Sequence, residues 1–183
     1  MKRRIIGPLV AIIAAASIVA LLAFGVAQKA PNGTLDDAVK AGRRPVAPDA
    51  SLVLKGLGSD PARSLASFRG RVVVLNFWAS WCTGCIGEAS ALAHAQQVLA
   101  RHGGTVLGAT YQDVPSDSQA FLRRHHLDYP NVIDSDIKLA TAFATNELPE
   151  TFVIDRHGRI VAISRGQVSD AVLNRWITKA LAS

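Results

Sequence analysis

Two cysteines three residues apart, Cys82-Thr83-Gly84-Cys85, are the only cysteines in the chain, so they pair with each other or with thiols of a partner. They follow an apolar, β-branched run, Val72-Val73-Val74-Leu75, that continues as Asn76-Phe77-Trp78, and precede a segment in which Cys85, Ala89, Leu92, Gln96 and Leu99 recur at steps of three and four. That pattern predicts a buried strand handing over to a helix at the cysteines. The free N–H groups and positive dipole end of a helix's first turn favour a thiolate over a thiol, and the thiolate is the form that attacks disulfides. A Cys-x-x-Cys in this setting is a thioredoxin-like redox signature. Cys82, at the exposed helix start, reads as the nucleophile and Cys85, one turn deeper, as the resolving thiol. A structural disulfide and a zinc half-site are the competing readings. The second lacks a further Cys-x-x-Cys, and the adjacent His125-His126 reads as part of a solvated basic face.

Glu88 lies three residues after Cys85, on nearly the same helix side and facing the apolar stripe. Desolvated there, its carboxyl is suited to passing protons near neutral pH; alternatively it complements the helix dipole as an ordinary first-turn acid. Trp81 reads as an apolar rim beside Cys82, Trp78 as core support, and Asn76 as a buried hydrogen-bonded polar group.

The scaffold for these residues can be read in chain order. A strand is expected at Leu52–Leu54, a central strand at Val72–Phe77, and the cysteine helix from Thr83 to His102. A second buried strand is expected at Thr105–Thr110, and an exposed helix from Ser116 to His126 with Ser116 as N-cap. Then come an extended piece at Asn131–Ile133, a helix at Ile137–Ala144, a hairpin of Thr151–Asp155 with Arg159–Ser164, and a closing amphipathic helix from Val168 to Leu181. This order predicts an α/β, thioredoxin-like fold: a central mixed sheet flanked by helices, with an inserted helix and extended segment between the second core strand and the C-terminal hairpin.

The charge is uneven. The net charge is +6, but residues 45–183 hold 13 basic and 12 acidic side chains, a net of +1, which argues against nucleic acid as a partner. The excess lies at the N-terminus, where Met1-Lys2-Arg3-Arg4 precedes a 23-residue stretch, 5–27, without a charged side chain. As a helix it would span roughly 34 Å, enough to cross a bilayer and leave the rest of the chain on the extracytoplasmic side. A cleaved signal peptide is the alternative. The expected organisation is a membrane anchor or signal peptide over 1–27, a Pro/Gly-containing linker over 28–48, in which a short helix at Leu35–Lys40 is possible, and the domain over 49–183. Either origin places the domain where disulfides persist.

Phe77-Trp78-Ala79-Ser80-Trp81-Cys82-Thr83-Gly84-Cys85-Ile86-Gly87-Glu88 resembles the active-site segment of membrane-anchored thioredoxin-like proteins of the TlpA/ResA/DsbE group. Phe68-Arg69-Gly70, Asp113 and Pro149-Glu150-Thr151-Phe152 extend the resemblance over about residues 45–181. Taken alone, Pro149 before a strand reads as a trans edge-strand proline. The resemblance instead implies a cis Leu148-Pro149 bond facing the two cysteines, with Leu148, Pro149 and Trp81 meeting the substrate chain, and a proton-transfer role for Glu88. It further implies reduction of disulfides in exported proteins, apocytochrome c among them, with electrons from a membrane thiol carrier and no cofactor beyond the Cys82–Cys85 couple. Gly84 departs from the group, many members of which carry Pro there, so a disulfide-forming oxidant is the second reading. A copper-delivering thiol chaperone is a third. The Pro-x-x-x-Thr-x-x-Cys pattern of peroxiredoxins is absent, with Leu75 and Ala79 in its places.

Overall fold

The computed structural model describes residues 32–183 and, before them, Ser17 alone. Its compact unit begins at Leu35. Apart from Ser17, the expected anchor at 5–27 lies outside the described residues, and among those described no helix is long and apolar enough to cross a membrane.

The helix α1 (Asn32–Lys40) is followed by the two-residue strand β1 (Lys55–Gly56) and a 3-10 turn at Leu65–Phe68. The core of the fold comes next: β2 (Val73–Trp78), α2 (Thr83–Ala100), β3 (Thr105–Tyr111), α3 (Pro115–Arg124) and β4 (Asn131–Asp134). It closes with α4 (Lys138–Ala142), β5 (Glu150–Ile154), β6 (Ile160–Arg165) and α5 (Asp170–Leu181). One six-stranded sheet results, in the order β1-β4-β3-β2-β5-β6. β2 runs parallel to β3 and antiparallel to β5, while the outer pairs β1–β4 and β5–β6 are antiparallel. This is the mixed sheet that the sequence predicts.

Every residue of β2 is buried, because helices cover both faces of the sheet. Strand alternation divides its side chains. Val74 and Trp78 enter a core shared with Leu92 and Leu99 of α2 and Leu173 and Ile177 of α5. Val73, Leu75 and Phe77 enter a second core with Phe143, Phe152 and Leu139. Asn76, on the α2 side, is thereby aimed at the helix that carries the cysteines.

Several local expectations are corrected. The first strand is Lys55–Gly56, since Leu54 instead bridges Arg63. Val114 is the N-cap of α3 and offers no side-chain cap; Pro115, whose missing N–H costs nothing in a first turn, opens the helix in place of Ser116. The helix is not wholly exposed either, since Ser118 and Phe121 are buried, Phe121 lying 4.9 Å from the Trp78 ring. Within the stretch expected as linker, Ala38 and Ala47 are buried and Val46 bridges Arg159.

The second core is held by an aromatic trio, in which Phe77 lies 5.7 Å from Phe143 and 5.9 Å, edge-on, from Phe152. Phe77→Ala is expected to cost about 3–5 kcal/mol, read by denaturant unfolding of the oxidised protein; a loss below about 1 kcal/mol would show that the core collapses onto the gap.

Candidate functional site

The cysteines stand at the exit of β2. Cys82 is the N-cap of α2 and Cys85 lies in its first turn; the two form a disulfide, and the Cys85 N–H donates to Cys82 Sγ at 3.1 Å. This first-turn N–H, which Cys82 O shares at 3.2 Å, faces the sulfur, so the sulfur sits where negative charge is stabilised. The expected exposure of Cys82 is corrected: in the oxidised form it is 5% exposed, its sulfur turned inward to Cys85. The accessible element beside it is Trp81, 60% exposed, whose Nε1–H donates to Gln112 O at 3.4 Å.

The approach to the cysteines is fixed from the neighbouring loop. Asp113 accepts from the Ser80 N–H and hydroxyl, both at 2.7 Å, and from the Ser118 hydroxyl at 2.6 Å. It thus ties the β2–α2 turn to the start of α3. Trp78 donates from Nε1 to Asn131 Oδ1 at 3.0 Å, a core role as expected.

Sheet register brings Pro149 to the cysteines across 64 residues of sequence. Phe77 of β2 lies opposite Glu150 of β5, so Pro149 falls level with the last residues of β2, where the cysteine turn begins. The Leu148-Pro149 bond is cis. Pro149 is buried and Leu148 half-buried. A Cβ added at Gly84 would lie 2.9 Å from Pro149 Cδ and 4.0 Å from Leu148 O. Gly84 therefore permits a closer approach of the proline to the cysteine turn than a residue with a side chain would.

Glu88 is fully buried, one turn beyond Cys85. Its carboxylate accepts from Asn76 Nδ2 at 2.7 Å and from the Val168 N–H at 3.0 Å. Burial raises its pKa from 4.5 to about 7, outweighing these two donors. Asn76 also donates to Thr151 Oγ1 at 3.1 Å, while its own Oδ1 has no partner among the described residues. Turning the Asn76 amide over would let a protonated Glu88 donate to that oxygen, so the neutral acid also finds a partner. Glu88 is thus no dipole-complementing surface acid but a buried carboxyl poised between its charge states near neutrality.

Sequence reasoning singled out Cys82, Cys85, Glu88, Trp81, Leu148 and Pro149. The structure pairs the two cysteines, brings Pro149 against Gly84 between them, sets Glu88 one turn beyond Cys85, and leaves Trp81 exposed beside Cys82. It adds what no local pattern marks: the Val168 N–H, which reaches Glu88 over a sequence separation of 80, and Arg165, which pairs with Glu150 beside Pro149. A signal for Asn76 did exist, since a polar residue inside an apolar strand demands a buried partner.

Because Glu88 is more basic in the fold than in the unfolded chain, its contribution to stability is complete below about pH 4.5 and is lost as pH rises through about 7. Denaturant unfolding of the oxidised protein at pH 4.5 and pH 8 is expected to show about 3 kcal/mol more pH-dependent loss in the natural chain than in Glu88→Gln. Parallel pH curves for the two proteins would contradict the assignment.

Comparison with known proteins agrees with this geometry. The model of the AhpC/TSA family matches residues 45–163. The thiol:disulfide interchange protein HelX of Rhodobacter capsulatus is 31% identical over 131 residues, covering 70% of this chain and 72% of that one. The thiol-disulfide oxidoreductase ResA of Geobacillus thermodenitrificans is 30% identical over 105 residues, covering 57% of this chain and 60% of ResA, so the chain spans about three-fifths of that relative's length. Among solved structures, a protein described as the thiol:disulfide interchange protein DsbE of Chlorobium tepidum superposes with a TM-score of 0.69 at 25% identity, over 75% of this chain and 96% of that one. A DsbF homologue of Corynebacterium diphtheriae superposes with a TM-score of 0.67 at 28% identity, over 75% of this chain and 88% of that one. The chain belongs to the AhpC/TSA family, and within this thioredoxin-like group its relatives bear the names of thiol–disulfide oxidoreductases.

Proposed function

We propose that the chain is an extracytoplasmic thiol–disulfide oxidoreductase that reduces disulfides of exported proteins, apocytochrome c among them. The observation that carries this reading is the assembly of Cys82 at a helix N-terminus, Pro149 against Gly84, and the buried carboxyl of Glu88 behind Cys85.

In the reduced protein the Cys82 thiolate attacks one sulfur of the substrate disulfide. A mixed disulfide forms and the other substrate sulfur leaves as a thiolate, which takes a proton. Cys85 then gives its proton to the Glu88 carboxylate and attacks Cys82 Sγ, forming the Cys82–Cys85 disulfide and releasing the second substrate thiolate. Two electrons have passed from the protein dithiol to the substrate. The Cys82–Cys85 couple is the only redox group this cycle requires. A carboxyl that titrates near neutrality accepts the Cys85 proton without holding it too tightly to return it when the pair is reduced again.

In this reading Trp81 and the Leu148-Pro149 backbone receive the substrate chain. The charge-free stretch 5–27 anchors the protein in the membrane with the domain outside, and a membrane thiol carrier supplies the electrons. The names of HelX and ResA support the exchange chemistry. One observation favours the second reading, a disulfide-forming oxidant: Gly84 leaves φ free where many proteins of the TlpA/ResA/DsbE group carry proline.

The reduction potential of the Cys82/Cys85 couple separates the two. The reductase reading expects about −230 mV or lower, in the range of thioredoxin-like reductants, whereas a value of about −120 mV would make the protein a disulfide donor. Equilibration with glutathione or dithiothreitol buffers, followed by thiol quantification, measures it.

A further inference from the structure

The end of β6 and its connection to α5 touch the site at three points. Arg165 reaches Glu150, Gly166 donates its N–H to Pro149 O at 2.9 Å, and Val168 donates to Glu88. Gln167 lies over the cysteine helix, where a Cβ at Gly87 would fall 2.6 Å from its Nε2. Gly166 has φ +126°, a conformation that other residues rarely adopt.

Arg165 is the hub of this connection. Its guanidinium, itself partly buried, donates to Asp36 Oδ2 from Nε at 3.2 Å and from Nη2 at 2.8 Å, and to the Glu150 carboxylate from Nη1. It also donates to Phe143 O at 3.3 Å and Ala144 O at 3.2 Å, and lies 5.0 Å from the Phe152 ring centroid. One planar fork thus joins α1, β5 and the backbone that leads from α4 into Pro149. Glu150, the residue after Pro149, is almost wholly buried. A buried carboxylate deprived of its cation must take up a proton or turn toward water, and either response disturbs the neighbouring peptide. Lysine cannot replace the fork, because one ammonium with three donors cannot serve two carboxylates and two carbonyls at once.

We propose that Arg165, clamped between Asp36 and Glu150, is a positioning residue that holds the 143–149 backbone so that Pro149 meets an incoming peptide disulfide at the cysteines. Arg165 touches neither sulfur. Its effect is on the seating of the substrate chain, and Asp36 supports it from the side of α1. The inference rests on the proposed reduction of protein disulfides.

The test compares two oxidised substrates of the reduced full chain: a disulfide-bonded peptide, which needs a backbone edge to pair with, and hydroxyethyl disulfide, which does not. Arg165→Gln is expected to raise KM for the peptide about tenfold with kcat little changed, and to leave the hydroxyethyl disulfide rate unaltered. Asp36→Asn, which leaves Arg165 and Glu150 paired, is expected to shift KM less and in the same direction, and Arg165→Lys to fall between. Asp36→Asn serves as the decisive variant if Arg165→Gln lowers the thermal midpoint too far for kinetics. Unchanged peptide KM in the variants, or equal losses on both substrates, would overturn the positioning role. A natural chain that reduces hydroxyethyl disulfide but no peptide disulfide would instead defeat the functional reading on which this role rests.

Discussion

A carboxyl group enclosed in the protein core organises this molecule. Glu88 has no access to water, and two donors, an Asn76 amide and the Val168 N–H, hold it. Those donors come from the central strand and from the turn after the last strand, so forming the site requires the sheet, α2 and the β6–α5 connection to be assembled at once. Two hydrogen bonds do not cancel the cost of removing a charge from water, and the balance leaves the acid near its titration point at neutral pH. A group that changes charge close to pH 7, one helical turn from a cysteine, is what thiol chemistry needs for moving protons without solvent.

The sheet supplies the second constraint. β5 runs antiparallel to β2 with Phe77 opposite Glu150, so the residue that enters β5 must fall at the point where β2 leaves for the helix. Pro149 and the cysteines therefore meet by register, and the missing side chain at Gly84 lets them come close. Around this meeting point polar side chains fix loops to one another: Asp113 holds Ser80 and Ser118 on one side, and Arg165 holds Glu150 and Asp36 on the other. Hydrogen bonds to charged groups are directional and stronger than neutral ones, which suits them to setting loop positions that apolar packing leaves loose.

The architecture was legible because its signals are local. The apolar run that opens β2, the helical spacing after Cys85 and the alternation of the Thr151–Asp155 and Arg159–Ser164 hairpin each record a single element. The cysteine pair and Glu88 were legible for the same reason, lying within one strand–helix unit. Pro149 was not legible from its own surroundings, which read equally as a trans edge proline; the resemblance of its flanking residues to a known family supplied the cis geometry. Arg165 and Asp36 were invisible, since an arginine in an outer strand and an aspartate 129 residues earlier carry no pattern that pairs them. The start of α3 is not legible locally, because Ser116 has the preferred side chain for a cap while Pro115, needing no N–H partner, takes the first turn. The burial of Cys82 is equally hidden, because sequence shows where a cysteine stands on a helix but not how its sulfur turns once bonded.

The most direct test is to titrate Glu88 itself in the oxidised protein, by carbon NMR of its labelled side-chain carboxyl, with Glu88→Gln identifying the resonance. A midpoint near pH 7 is predicted, as burial demands. A midpoint near 4.5 would mean that water or further donors reach the carboxylate, and that Glu88 is already fully charged at neutral pH and no carrier of the cysteine proton.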